Sequence, residues 1–463
     1  MVSVMCLKSL IAPLLIAAAL FSSESFGVDR DKSPEAAARG RLVVEKGSYL
    51  TAAWKIDTWD KLKSTTKPLP ESLQTTPETK KTDAATIAQL RYGLNPAPFD
   101  NDNLPMGLRR ALEKDGKTQG LQIDCLICHG GSIGGKSYVG LGNSTLDFVT
   151  FLNAMTRTEG KRPPILTFNL NSTRGTVNAG QLAIVLFSLR NPDLTMRNFP
   201  MPLDANLPEQ DVPPWWHLAR KSTIYIDART PGESARSLMQ FYLGELSEAQ
   251  FAALEPKFKD LMSYLSTIKP PKWPFEIDQA KAAAGRSIFE KNCSECHGTY
   301  GDKPYYPDRL VELDEIGTDP ARARGVSEKS IDHYNSTWFG RVHPVDKTVP
   351  TGYQAPPLDG VWATAPYLHN GSVPTLDDLL NSKSRPNRFI RHTSTEFENY
   401  DREKVGWRVK RIEAGEKPIF SDLFQNRSIY DSSRYGLGNG GHTFGDKLSD
   451  RDRSAVIEYL KTL

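Results

Sequence analysis

Two short stretches carry the residue types that do chemistry: Cys125-Leu126-Ile127-Cys128-His129 and Cys293-Ser294-Glu295-Cys296-His297. Each is a C-x-x-C-H motif, the attachment signature of c-type haem. The spacing has a chemical reason. Two thiols so placed form thioethers to the two vinyl groups on one porphyrin edge, and the adjacent imidazole swings under the ring to bind iron. A lone C-x-x-C has other readings, a redox dithiol or half of a zinc site. A zinc site would pair the two motifs, yet they lie far apart in the chain, and a dithiol needs no histidine after it. The expectation is two covalently bound haem c groups, one on Cys125, Cys128 and His129, the other on Cys293, Cys296 and His297. Cys6, the remaining cysteine, lies in a segment expected to be removed, so none is left for a disulfide.

The elements that must position these motifs are read from periodicity. Residues 278–298 are rich in alanine and read as a helix running into the second motif. Residues 246–268 open on an N-cap signal, Ser247 followed by Gln250. Phe251, Leu254, Phe258, Leu261 and Leu265 then recur at helical spacing. Pro270, Pro271 and Pro274 stop that helix and make a stiff linker. Residues 448–463 end in a matching way, with Tyr459-Leu460 echoing Tyr264-Leu265. Each half therefore reads as helix, C-x-x-C-H, long irregular insert and closing helix. The expected fold is all-α: two tandem cytochrome c-like haem domains with long irregular loops, over 96–270 and 275–463. An N-terminal extension, 28–95, precedes them. Within it, 35–46 reads as a helix, Trp54 and Trp59 as packing anchors, and 61–82 as a loop. Residues 108–114 read as a charged helical stretch leading to the first motif. Residues 130–142 read as a glycine-rich loop that lets backbone lie close to a flat cofactor.

A chain of 463 residues can hold two or three domains with real cores. Its 58 lysines and arginines against 55 aspartates and glutamates leave nothing that points to nucleic acid. Residues 1–27 look like a secretory signal peptide, with Lys8 for charge, Leu10 to Phe21 as the apolar run and Ser25-Phe26-Gly27 for cleavage. The run is too short for a comfortable membrane span. The expectation is export to the periplasm without stable membrane insertion, which fits covalent haem attachment outside the bacterial cytoplasmic membrane.

The segment from Trp362 to Leu380 resembles the Thr-Ala-Pro-Tyr-x-His-(Asn/Asp)-Gly segment of bacterial dihaem cytochrome c peroxidases and their relatives. Within that superfamily it is most similar to the rubber-oxygenase branch. The run Gly371 to Leu376, the Pro213 to Trp216 segment and the Gly441 to Gly445 segment carry that likeness, which spans roughly 100–463. The resemblance implies a haem-dependent oxidoreductase. Its co-substrate would be peroxide or dioxygen, and its electron partner a small redox protein or another donor or acceptor. The first haem would react, on His129, and the second would pass electrons.

All eight methionines lie at or before Met262, so the C-terminal half has none to offer iron. His333, His343, His369, His392 and His442 remain as candidates for the face opposite His297. The resemblance selects His442, with His369 next. Peroxidases carry a distal histidine shortly after the first motif, and 130–161 contains none. His217 is the one histidine between the motifs; Met155, Met196 and Met201 are more often core filler. An open sixth position at the first haem is the economical reading. The resemblance also places Trp215 or Trp216 between the haems as an electron relay, although tandem tryptophans otherwise simply pack. It implies calcium, held by the backbone carbonyls of Thr364 and Pro366. No acid/base residue stands out: Gln181 and Asp193 lie in a plausible region, yet nothing in the sequence separates them from surface polar residues. The competing expectation is a non-catalytic electron carrier with both irons six-coordinate, and a third is a haem-based sensing module.

Overall fold

Each half closes on a pair of helices that cross at a glycine. The computed structural model describes residues 33–68, 83–162, 173–244, 246–413, 415–416 and 426–463; the signal-peptide reading of 1–27 lies outside them. In the second half the Gln279–Asn292 helix packs on the Asp450–Leu460 helix. At the crossing, a Cβ on Gly285 would stand 1.9 Å from the Ala455 carbonyl oxygen, so only glycine lets the backbones approach this closely. The first half repeats the arrangement. Its Pro34–Lys46 helix packs on the Glu248–Leu265 helix, and a Cβ on Gly40 would stand 2.0 Å from the Asp260 carbonyl oxygen. Segment 28–95 thus gives the first half its opening helix.

Local sequence explains these helices. Ser33 accepts from the Ala36 N–H, and Pro34 occupies the first turn, where no N–H is needed. Ser247 and Gln250 form the reciprocal capping box that their spacing predicts. The pair Arg39 and Asp260, 2.7 Å apart, ties the first crossing at its rim.

The all-α expectation fails. Of the described residues 37% are helical and 13% are strand, in five small sheets. The long inserts fold back on themselves as short antiparallel pairs, which satisfies backbone N–H and C=O groups close to the core. Residues Leu108–Leu112, expected to be helical, form a strand paired with Gln119–Ile123, Leu108 opposite Ile123. The turn between them contains Asp115-Gly116, with Gly116 at φ 67°, a hairpin signal that overrides helix propensity. Trp54–Lys55 pairs with the other edge of Gln119–Ile123. The glycine-rich stretch after the first motif is likewise a hairpin. Gly130–Ile133 pairs with Lys136–Val139 around Gly134 and Gly135, both in the left-handed region. In the segment read as a loop over 61–82, a helix spans Thr58–Thr65, and 69–82 lies outside the described residues.

The two halves share their cores. Trp216 from the first half joins Trp273, Trp362, Tyr400 and Trp407 in one buried cluster. Conversely Tyr334, Trp338 and Phe339, from the second half's insert, pack against Phe251 and Phe258 of the first half's closing helix. Among the described residues no helix is long and apolar enough to cross a membrane.

Candidate functional site

The second motif begins where its helix ends. Cys293 caps the Gln279–Asn292 helix, and Ser294–His297 forms one further turn. His297 Nδ1 lies 2.8 Å from the Pro356 carbonyl oxygen, which fixes the tautomer and leaves Nε2 for a metal. Tyr300 braces the turn: its hydroxyl donates to the His297 carbonyl at 3.0 Å and accepts from the Leu358 N–H at 2.6 Å. Across from His297 stands His442, with ring centroids 6.2 Å apart. Two imidazoles that share one metal ion, each nitrogen about 2 Å from it, leave roughly 6 Å between ring centres. The observed spacing fits that arrangement.

The loop that carries His442 is held under strain. His442 adopts φ 47°, uncommon for a residue with a side chain, and its N–H donates to the Ile316 carbonyl at 2.7 Å. Arg385 pins the loop. Its guanidinium donates to the carbonyls of Asn439 and Gly441 at 2.7 Å and of His442 at 3.2 Å, and also to Leu379 and Asp378. Sequence reasoning missed Arg385, because no motif separates it from other arginines.

The first motif is tied differently. Asp124 accepts from the Leu126 N–H at 2.8 Å and pairs with Arg109. Arg109 also donates to the carbonyls of Val44, at 2.7 Å, and Glu45, which locks the motif to the Pro34–Lys46 helix. Cys125 Sγ lies 3.4 Å from the Tyr242 hydroxyl. The His129 ring stacks on Trp215, with centroids 4.8 Å apart and planes 25° apart. Among the described residues no second imidazole makes a ring contact with His129.

Protonation states agree with ligand roles. Burial pulls His129 down to about 4, against the opposing pull of the Pro213 carbonyl, which lies outside close hydrogen-bond geometry and leaves Nδ1 without a partner. Burial also pulls His442 down to about 3 and lowers His297. Neutral imidazole is the metal-binding form. All three rings are densely surrounded yet keep some accessible surface, as groups facing an internal cleft do. The four described cysteines are free, and burial pushes Cys125 and Cys293 up to about 11, Cys128 up to about 12, and Cys296 upward. Reactive dithiols are shifted the other way. No group of three or more histidine, cysteine or acidic side chains suited to a metal ion occurs among the described residues, so the zinc reading has no cluster to rest on. The motifs fit haem c, with the cysteines as attachment points and His129, His297 and His442 as nitrogen donors. Haem bound there would supply one-electron and peroxide or dioxygen chemistry.

Trp215 and Trp216 join the two sites. Beyond the stack of Trp215 on His129, the Trp216 indole N–H donates to the Asp359 carbonyl at 2.7 Å. Asp359 lies three residues along from Pro356, whose carbonyl holds His297. A continuous path of ring, covalent and hydrogen-bonded contacts therefore runs from His129 to His297.

Other predicted residues sit elsewhere. His369 stacks on Tyr353 at 4.3 Å, away from the motif histidines, and His333 bonds to the Phe187 carbonyl at 3.0 Å. His343 lies 3.6 Å from Glu233. His217 is the exception: it lies close enough to His297 to feel its charge, its Nε2 is buried without a hydrogen-bond partner, and burial first, then Lys221 and His297, pull the ring down to about 3. Met155 is core, and Met196 is 62% exposed. Gln181 accepts from the Leu207 N–H, and Asp193 closes a local turn with Thr195; each has a structural task. The Thr364 hydroxyl donates to the Val361 carbonyl. Pro366 borders a small cavity walled by Arg174 and Arg391 and by no carboxylate.

Comparison with known proteins adds a family and distant relatives. Residues 352–390 match the model of the RoxA-like, cytochrome c-like family. The matched stretch includes Pro356 and Arg385 but neither C-x-x-C-H motif. It supports a cytochrome c-like haem protein and, with it, covalently bound haem c. Two uncharacterized proteins of Sinorhizobium fredii (strain NBRC 101917 / NGR234) are similar. One, y4iM, is 31% identical over 239 residues, covering 43% of this chain and 52% of that protein. The other, y4iJ, is 28% identical over 283 residues, covering 47% and 44%. The chain spans about half the length of these curated relatives. Among solved structures, a MauG-like protein associated with microbial copper homeostasis is 15% identical over 61% of this chain and 88% of that one, at a TM-score of 0.29. Hydrazine synthase from Kuenenia stuttgartiensis is 14% identical over 65% and 98%, at 0.23. Overlays that loose fix no residue's role.

Proposed function

We propose that this chain is an exported dihaem c-type redox enzyme of the cytochrome c peroxidase superfamily, nearest its rubber-oxygenase-like branch. In this reading the haem on Cys125, Cys128 and His129 is the reactive one. The haem on Cys293, Cys296 and His297 has His442 as its second ligand and exchanges electrons. Peroxide or dioxygen is the co-substrate, and a small redox protein or another donor supplies or takes electrons. The observation that carries the reading is the asymmetry between the motif histidines: His297 faces His442, whereas His129 faces no second imidazole among the described residues. An iron with one strong protein ligand can accept a small molecule on its other side.

The protein's own residues have distinct tasks in this reading. Pro356 orients His297, Arg385 holds the His442 loop, and Arg109 with Asp124 anchors the first motif. Trp215 stacks on His129, and Trp216 bonds to Asp359, three residues along from the carbonyl that holds His297. The test is ligand binding to purified, haem-loaded protein. Carbon monoxide should bind the reduced form at one haem per chain, and replacement of His129 should abolish that binding. Replacing Cys125 and Cys128 by alanine should remove half of the covalent haem on a denaturing gel. Two irons closed to carbon monoxide in the reduced form and to cyanide in the oxidised form would leave the electron carrier standing instead.

A further inference from the structure

Behind Pro366 the two halves enclose a cavity of ≈ 20 Å³. Ser144, Thr173 and Arg174 line it from the first half; Arg391, Ser428 and Tyr430 line it from the second. Its wall therefore holds two guanidiniums and several hydroxyls but no carboxylate. The volume suits one water molecule or one ion of similar size, for which about 10–15 Å³ is enough.

Arg391 is the unusual group. Its Nη1 donates to the Ser144 carbonyl at 2.6 Å, and its guanidinium lies 3.9 Å over the Trp407 ring. Its Nε and Nη2 are buried and meet no hydrogen-bond acceptor among the described residues. Arg174, across the cavity, donates to the carbonyls of Arg91 and Leu90. Burial lowers Arg174 to about 10 and, together with the Arg174 charge, Arg391 to about 9, against the opposing pulls of Asp147 and Asp211. Acids stand behind this wall: Asp211 behind Gly371, where a Cβ would lie 3.8 Å from its Oδ1, and Glu209, which accepts from the Thr173 N–H at 2.5 Å and from the Thr176 hydroxyl at 2.9 Å. Burial raises both carboxyls, and neither is hydrogen-bonded to the Arg391 Nε or Nη2. Like charges facing each other with unmet donors are costly unless an acceptor lies between them. A water would meet the donors; an anion meets the donors and the charge.

We propose that this cavity binds a single halide-sized inorganic anion, such as chloride, on the Arg391 Nε and Nη2 groups with Arg174 facing it, so that an anion bridges the halves. It occupies the neighbourhood in which the family resemblance implied calcium, with the opposite charge.

The test uses full-length, haem-loaded protein dialysed into gluconate and titrated with chloride at constant ionic strength. A saturable rise of several degrees in the thermal midpoint is expected, because a ligand that binds only the folded state stabilises it. Arg391→Gln should abolish the rise, and calcium chelation should leave the midpoint unchanged. Should that variant fail to fold, crystals of the unaltered protein soaked in bromide decide the matter. An anomalous peak within hydrogen-bond distance of Arg391 Nε and Nη2 supports the proposal. Absence of that peak overturns it whatever the melting data, leaving a water, or a cation if chelation destabilises.

Discussion

At Gly40 and at Gly285 a helix presses its backbone onto a carbonyl of the closing helix, 2.0 and 1.9 Å from where a Cβ would be. Beyond that crossing the two halves part company. The second half presents His442 to His297 on a strained loop that Arg385 grips by its carbonyls. The first half presents Trp215 to His129 and joins its motif to the opening helix through Arg109. The repeated crossing sets where a motif sits. What stands opposite each imidazole is decided by the irregular inserts, which share no pattern. One scaffold can in this way set a second imidazole opposite one motif histidine and an indole against the other.

The comparison breaks most directly at His442. His442→Ala should turn the second haem wholly from low-spin to high-spin while the first haem's spectrum stays put, as read by electron paramagnetic resonance. A low-spin signal that persists would mean that another residue faces His297, and that the asymmetry between halves is misassigned. The likeness of the halves can be tested by overpacking both crossings. Gly285→Ala and Gly40→Ala each drive a methyl group into a backbone carbonyl, at a cost of about 1–3 kcal/mol. Both should lower the thermal midpoint. A neutral Gly40→Ala would show that the first half does not depend on its crossing as the second does.

How much of this was legible in the sequence depends on how local the cause is. The motifs were legible because thioether chemistry dictates their spacing, and the closing helix at 248–265 because its cap and its period are both local. The sheets were not read, since Asp115-Gly116 and Gly134-Gly135 look like loop punctuation until the flanking segments are seen to pair. The partnership of the 34–46 helix with the closing helix rests on a contact between Gly40 and Asp260, far apart in sequence. Arg385 was invisible for a similar reason. Its acceptors come from the short Leu376–Leu380 helix just before it and from the distant 439–442 loop, and nothing in its neighbours announces the second set.

Arg385 gives a graded version of the first experiment. Arg385→Gln removes most of the donors that hold the strained His442 loop, but leaves the imidazole in place. The second haem should become a mixture of low-spin and high-spin forms, and exogenous imidazole should restore the low-spin signal. Arg385→Lys should not rescue it, because a single ammonium cannot reproduce the planar fork. An unchanged spectrum would mean that the loop's other ties, among them the His442 N–H to the Ile316 carbonyl and the Gly441–Gly317 packing, suffice to hold it.

The smallest effect concerns the joint between the halves. Trp216→Phe keeps a ring in the shared core but deletes the indole N–H that meets the Asp359 carbonyl at 2.7 Å. Leaving that acceptor unpaired costs about 1–3 kcal/mol, so the protein should stay folded with both haems attached. If the path from His129 to His297 runs through that bond, electron equilibration between the haems should slow severalfold, with both spin states unchanged. Trp215→Phe keeps a ring against His129 and leaves the Trp216 bond intact, so it should slow equilibration less. Stopped-flow reduction, followed at wavelengths that separate the two haems, reads both variants. The reverse order would place the coupling in the His129–Trp215 stack and make Trp216 a packing residue, in which case the hydrogen bond to Asp359 only aligns the halves.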